Sequence, residues 1–394
     1  MELIDKVKRI KIKDLLAIFI FFCAIPEAIL LKKRRKDLWL ICEREDEARD
    51  NGYFLFKYIR ENYPLEDVVY AIKKDGKDYN KVKNLGEIIE YGGYKHWVYY
   101  LAASKNISSH KGGKPNAAVC YFLEVFEILK NKRVFLQHGV IKDDLEWLYY
   151  KNTKMRLFIC GAEPEYEYIK EKFGYPEEYV KYTGLARFDN LHNFEIKQNQ
   201  ILVMPTWRVW LRTPSVNKGN SDKNKIFIET NYYKRWYEFL NDDELIKYIE
   251  KNNLIVIFYP HSNMQKFIEK FETKSKNIKI ASDQIFDIQT LLKESEILIT
   301  DYSSVFMDFA YMRKPIIYYQ FDKKDYREGQ YKEGYFNYER DGFGPVVETM
   351  KGVVENLVAI RNQDKNKYLE KQEKFFKLYD TNNSKRNYDE IKKI

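Results

Sequence analysis

Four short stretches bring side chains with chemical capacity to the ends of apolar runs. In RVFLQHGV, 133–140, the strand-like Val134–Leu136 gives way to Gln137-His138-Gly139. Glycine permits a sharp turn there, so the imidazole can project from the strand end. Histidine titrates near neutral pH and suits general-base work; a histidine merely hydrogen-bonded at a strand end is the plainer alternative. LIVIFYPH, 254–261, has the same exit at Tyr259-Pro260-His261, so two of the five histidines follow predicted strands in separate parts of the chain. ILVMPTWR, 201–208, leaves its strand through Pro205-Thr206-Trp207-Arg208. Arg208 has the planar fork that holds a phosphate bidentately, and a salt bridge is its structural alternative.

The fourth stretch, ILITDYSSVFMDFA at 297–310, turns polar at a strand-to-helix seam. Asp301 or Ser303 would cap a helix that begins near Ser304. The same seam offers unpaired backbone amides and the positive end of a helix dipole, and Ser303 and Ser304 add hydroxyl donors, as a phosphate or pyrophosphate site requires. Asp308 follows one turn after Ser304 on roughly the same face, placed to orient a ligand hydroxyl or a histidine, or to be solvated. No acidic pair ends a strand in the manner of metal ligands, so no essential metal and no cofactor are expected.

The elements that must position these groups alternate. Strands are predicted at 38–42, 68–72, 106–109, 134–137, 157–160, 201–204, 254–259, 297–300 and 315–319. Helical patterns lie between them, at 52–62, 115–130, 242–252, 285–295 and 305–312. This order indicates an α/β fold with parallel sheets, in which ligands bind beyond the carboxyl ends of strands. The charged, poorly patterned LHNFEIKQNQI marks a boundary. The expected domains are a leader at 1–36, an α/β domain at 37–195, a second at 196–365, and a helical tail at 366–394 that packs back on the first.

Composition narrows the partners. Net charge is +9, of which residues 1–36 carry +6, so the body is nearly balanced and lacks the basic stripe a nucleic-acid binder needs. The scattered Cys23, Cys42, Cys120 and Cys160 form no C-x-x-C pair and suit buried thiols. In the leader, LLAIFIFFCAIP lies between Lys6–Lys13 and Lys32-Lys33-Arg34-Arg35-Lys36. Its uninterrupted apolar run is about 12 residues, short of the ~20 that span a bilayer, and Pro26 and Glu27 interrupt it. A helix lying on or dipping into an anionic inner leaflet, on the cytoplasmic face, is expected.

Together, QHG (137–139), PTWR (205–208), YPH (259–261) and TDYSSVFMDFA (300–310) resemble the CDP-glycerol glycerophosphotransferase family of teichoic acid and capsule enzymes. EARDNGYFLFKYIREN (47–62), TGLARFD (183–189), KPIIYYQFDKKDYREG (314–329) and GFGPVV (342–347) add to the likeness. The resemblance implies two Rossmann-like domains in a GT-B-like arrangement with a membrane-associating N-terminal helix. It implies transfer of a polyol phosphate from CDP-glycerol or CDP-ribitol to a lipid-linked polymer, with release of CMP. His138 and His261 match the family's key histidines. Ser303 and Ser304 match its pyrophosphate-binding serines, and Asp308 its acidic helix residue. Arg208, Thr206, Thr300, Asp301 and Arg327 are further donor-side candidates. The family's first motif has Trp before the histidine and Thr after the glycine; Gln137 and Val140 stand there in this chain, a difference that bears on the acceptor-side pocket. A nucleotide-sugar glycosyltransferase of the same fold and a non-catalytic scaffold in polymer assembly are the alternatives.

Overall fold

The computed structural model describes residues 12–212, 227–282, 285–362 and 367–394. The basic start of the leader, Lys6 to Lys11, and the expected domain limit at 365–366 lie outside these residues.

The chain forms two compact units. The first runs to Val140 and adds Leu145–Asn190 and Asp380–Ile394; the second comprises Ile141–Asp144 and Leu191–Tyr379. Strands β1 (Trp39–Cys42), β2 (Val68–Ile72), β3 (Glu87–Glu90), β4 (Lys105–Ser108), β5 (Lys132–Phe135), β6 (Leu157–Cys160) and β7 (Val180–Tyr182) make the first sheet, in the order β3-β2-β1-β4-β5-β6-β7. All its pairings are parallel. Strands such as β1 (WLIC) and β6 (LFIC) are buried along their whole length, because helices cover both faces of a parallel sheet. One face packs Trp39, Ile41 and Tyr70 against Leu55, Phe56 and Ile59 of helix α2 (Asn51–Asn62). The other packs Leu40, Val69 and Ala71 against Trp97 and Val98 of helix α3 (Tyr94–Ala102).

The second sheet contains β8 (Lys197–Met204), β9 (Ile255–Phe258), β10 (Ile278–Ile280), β11 (Ser295–Thr300), β12 (Ile316–Tyr319) and β13 (Val346–Val347), in the order β10-β9-β8-β11-β12-β13, also parallel. Its core gathers Val203, Trp236, Phe239, Phe258, Ile299 and Tyr319. Each sheet winds outward in both directions from its first strand. Each therefore has a switch point where connections part, between β1 and β4 and between β8 and β11, and open α/β sheets bind ligands at such points.

Three segments depart from expectation. The leader helix α1 (Ile12–Arg34) does not stop at Pro26 but runs through it. Proline removes one backbone hydrogen bond, and the burial of Ala24 and Ala28 on either side holds the helix across the gap. With Ala17 these alanines face the core that contains Trp97 and Val98 of α3, and Phe21 meets Trp97 edge-on at 5.8 Å while the Tyr94 hydroxyl donates to the Cys23 carbonyl at 3.3 Å. Residues 14–34 are long and apolar enough to cross a membrane. The tail divides: the helix Leu369–Phe375 lies in the second unit, and only residues from Asp380 join the first. There helix α4 (Asn383–Lys393) is capped by Asp189, which accepts the Asn383 and Ser384 amides at 2.8 Å each. The chain leaves the first unit at Asn190, and the piece expected to be a linker already forms β8 from Lys197.

Candidate active site

At the first switch point the side chains converge on Asp50, the N-cap of α2. Its Oδ1 accepts the Asn51 amide and the Arg187 guanidinium, each at 2.8 Å. Its Oδ2 is in direct hydrogen-bond contact with His138 Nδ1 and lies 3.2 Å from His110 Nε2. The two imidazoles stand with ring centroids 4.5 Å apart, tilted by 39°. The carboxylate is 6% exposed, whereas the His138 side chain is 60% exposed. Burial opposes ionisation of Asp50, but the charges of His138 and Arg187 outweigh it and hold the carboxyl well below its usual range.

The backbone that presents His138 is clamped. Gln137 has a φ of +65°, the left-handed region that a residue with a Cβ seldom adopts. Its carbonyl accepts from Asn51 Nδ2 at 2.8 Å, and the His138 carbonyl accepts from Arg187 at 2.5 Å. Asn51 in turn accepts the Arg187 amide at 2.9 Å. The Gln137 side chain points into the protein, where its amide donates to the Ile159 carbonyl at 2.6 Å and Glu165 at 3.0 Å. Val140 is buried too. Both departures from the family motif are therefore core positions.

Behind Asp50, the fully buried Glu43 leaves β1 and accepts three amides of the α2 start, Arg49 at 3.1 Å, Asp50 at 3.3 Å and Tyr53 at 2.9 Å, together with the Ser109 hydroxyl at 3.2 Å. Burial, then the nearby Asp50 charge, pushes Glu43 up to about 7. Asp50, His110 and His138 bring ligand-type atoms within 4.8 Å of one another, the spacing of a cation site. In the structure Asp50 contacts a guanidinium, a backbone amide and both imidazoles, so the cluster is bonded as an ion-pair network.

At the second switch point the expected residues do leave adjacent strands. His261 follows β9, Thr206 and Arg208 follow β8, and Asp301, Ser303 and Ser304 follow β11. The His261 amide donates to the Pro205 carbonyl at 3.2 Å, which ties two of these exits together. His261 Nδ1 accepts the Asn263 amide at 3.1 Å, and its ring lies 6.2 Å from Trp207.

Arg208 differs from expectation. It is fully buried, bonded to Asp322 at 2.8 and 3.0 Å, to Asp301 at 2.9 Å and to the Thr206 carbonyl at 2.8 Å. The rings of Tyr232, Tyr302 and Tyr326 surround it at 5.1–5.2 Å. Two carboxylates and a backbone carbonyl take four of its five N–H donors, and its complete burial keeps the fork from solvent. Asp301 and Thr300 are buried as well: Asp301 accepts the Thr206 and Tyr302 amides at 2.8 and 2.6 Å, and the Thr300 hydroxyl donates to the Met204 carbonyl at 2.7 Å. Arg327 pairs with Asp143 at 2.6 Å, beside a cavity of ≈ 550 Å³ also lined by Asp322, Lys323 and Lys324. Asp308 is buried rather than solvated. The seam itself stays open: Ser304 is exposed, Ser303 half-buried, and the Ser304 side chain makes no capping hydrogen bond to the helix Val305–Tyr311.

Asp50, His110, Arg187 and Glu43, which the structure gathers around His138, were not among the expected site residues. His110 carried a signal, since it follows the predicted strand 106–109 just as His138 and His261 follow theirs.

Known proteins share this plan. The minor teichoic acid biosynthesis protein GgaB of Bacillus subtilis is 36% identical over 368 residues, 91% of this chain and 40% of GgaB. A teichoic acid poly(glycerol phosphate) polymerase of the same organism is 38% identical over 390 residues, 92% of this chain and 49% of the polymerase. The chain thus spans less than half the length of either relative. The solved wall teichoic acid polymerase TagF has the same fold, with a TM-score of 0.65 at 16% identity, covering 98% of this chain and 100% of that one. The sequence model of CDP-Glycerol:Poly(glycerophosphate) glycerophosphotransferase matches residues 25–393, and the chain belongs to that family.

Proposed function

We propose that the chain transfers a polyol phosphate, glycerol phosphate first, from a CDP-polyol to a hydroxyl of a membrane-linked wall or capsule polymer and releases CMP. The observation that carries this is His138: a largely exposed imidazole at a switch point, with a charged carboxylate against its inner nitrogen. Such a ring is built to accept a proton at its outer edge. The acceptor hydroxyl gives its proton to His138 as its oxygen bonds to the polyol-bearing phosphorus. The bond from that phosphorus to the bridging oxygen breaks, and the electron pair leaves on CMP. His261, with the amides and hydroxyls of Ser303-Ser304, stabilises the charge on the departing phosphate. Phosphoryl transfer is mostly positioning and electrostatics, so turnover is expected to persist in a chelator.

CDP-glycerol and CDP-ribitol are both donors to test, since relatives named for glycerol phosphate and for ribitol phosphate both match this chain. The acceptor is lipid-linked, and α1 rests on the inner leaflet with its exposed Lys32, Lys33 and Arg34 at anionic headgroups.

Release of CMP by purified protein, with each CDP-polyol and with UDP-sugars as controls, tests the activity. His138→Ala should lower turnover by ~10²–10⁴ while donor binding survives. Joint replacement of Ser303 and Ser304 by alanine should instead weaken CDP-polyol binding by about tenfold, the equivalent of one lost charged hydrogen bond. Near-normal turnover in H138A, or turnover of UDP-sugars alone, would overturn the proposal.

A further inference from the structure

We infer that Asp50 is the positioning residue of His138 and fixes its imidazole as the Nδ1–H tautomer, leaving Nε2 as the basic nitrogen. This deepens the proposed role of His138 as the base and rests on it.

The assignment follows from a count of lone pairs. An ionised carboxylate offers about four acceptor positions and no donor. Asp50 meets four partners: the Asn51 amide and Arg187 on Oδ1, His138 Nδ1 and His110 Nε2 on Oδ2. The first two are obligate donors. Every ring nitrogen that faces Oδ2 must therefore donate as well, so His138 carries its proton on Nδ1 and His110 carries its own on Nε2. One oxygen holds two histidines in opposite tautomers. In the His138 ring this leaves the lone pair on the nitrogen away from Asp50, which is the nitrogen a substrate hydroxyl must reach.

The charged groups around the pair agree in sign. Arg187 binds Asp50 and the His138 carbonyl together, so one guanidinium secures both the carboxylate and the backbone of the ring it orients. The N-terminus of the 12-residue α2 adds its dipole and the Asn51 amide to the ionised form of Asp50. Glu43, the other acid nearby, is spent on the amides of Arg49, Asp50 and Tyr53 and the Ser109 hydroxyl, so it holds the loop and does not compete for either imidazole.

The test uses the full chain with ¹⁵N-labelled histidine, His138 assigned by its loss in H138Q, at about pH 8.5 where imidazole is neutral. Long-range ¹H–¹⁵N correlation should show a protonated Nδ1 and a bare Nε2 in the wild type, moving toward Nε2–H in Asp50→Asn. In the same variant kcat should fall by ~10²–10⁴, with KM for CDP-glycerol within about threefold. If the variant does not fold, the wild-type spectrum still decides the tautomer. A wild-type ring protonated on Nε2, or D50N turning over within about threefold of wild type, would overturn the assignment. An Nδ1–H ring beside a fully active H138A would instead leave Asp50's positioning intact and remove the proposed function.

Discussion

Arg208 carries its charge into a place with no solvent contact, and two carboxylates and three tyrosine rings make that tolerable. Burial alone disfavours the charged guanidinium, and Asp301 and Asp322 more than restore it. The pair also holds the exits of β8 and β11 together, because Asp301 accepts the Thr206 amide while its own carbonyl takes the Gln320 side-chain amide at 3.0 Å. Arg208 therefore braces the two strand exits, from β8 at Thr206 and from β11 at Asp301. Arg208→Met should leave two buried carboxylates without their cation and cost roughly 3–5 kcal/mol, measured by denaturant unfolding. A loss below about 1 kcal/mol together with weakened donor binding would return Arg208 to the ligand.

Helix α1 shows how one element can serve two media. Its alanine stripe is narrow enough to approach α3 closely, and Leu15, Leu16, Phe19, Phe22, Ile29 and Leu30 are exposed on the remaining surface. An apolar surface of that extent marks a contact with a membrane or another protein. The joint substitution Phe19→Ser and Phe22→Ser should leave the melting temperature nearly unchanged, since neither side chain is buried. It should reduce cosedimentation with anionic vesicles, and the residual binding should fall with salt as the Lys32-Lys33-Arg34 contacts are screened. Unchanged vesicle binding would place the membrane contact elsewhere. On the inner surface the opposite holds: Ala24→Leu would overpack the α3 contact and cost about 1–3 kcal/mol.

For the whole molecule, the path of the chain matters more than the order of its elements. The first unit is completed only by the last residues, through Asp189 at the start of α4 and through Tyr388 and Ile391 in the core beside Trp39 and Leu55. The same helix braces the turn that carries Arg187: Asn387 donates to the Gly184 carbonyl at 2.9 Å, and Arg386 to the Thr183 carbonyl at 2.9 Å. Deleting residues 380–394 should therefore raise hydrogen exchange in β1 and α2 while the amides of β8 and β11 keep their protection. Uniform loss of protection in both sheets would show the two units to unfold as one.

Local pattern was enough for the interiors of both sheets. Each predicted strand became one because a strand buried on both faces is largely apolar, as in WLIC or VVYAI. Of the strands not foreseen, Glu87–Glu90, Val180–Tyr182, Ile278–Ile280 and Val346–Val347 are the four edges of the two large sheets, and the two-residue strands Asp143–Asp144 and Lys332–Glu333 pair only with each other. An edge strand is short and partly exposed, so its residues carry little of the pattern that announces a strand. His138 and His261 were readable for the same local reason, each following an apolar run at a strand's carboxyl end. Their surroundings were not. Asp50 meets His138 across 88 residues and Arg187 across 137, and Arg208 finds Asp301 and Asp322 at separations of 93 and 114. Sequence by itself determined where strands end and which groups leave them, because burial acts residue by residue. Only the tertiary structure decided which groups stay open to a ligand and which are consumed by each other, because saturating a carboxylate takes donors that folding alone brings together.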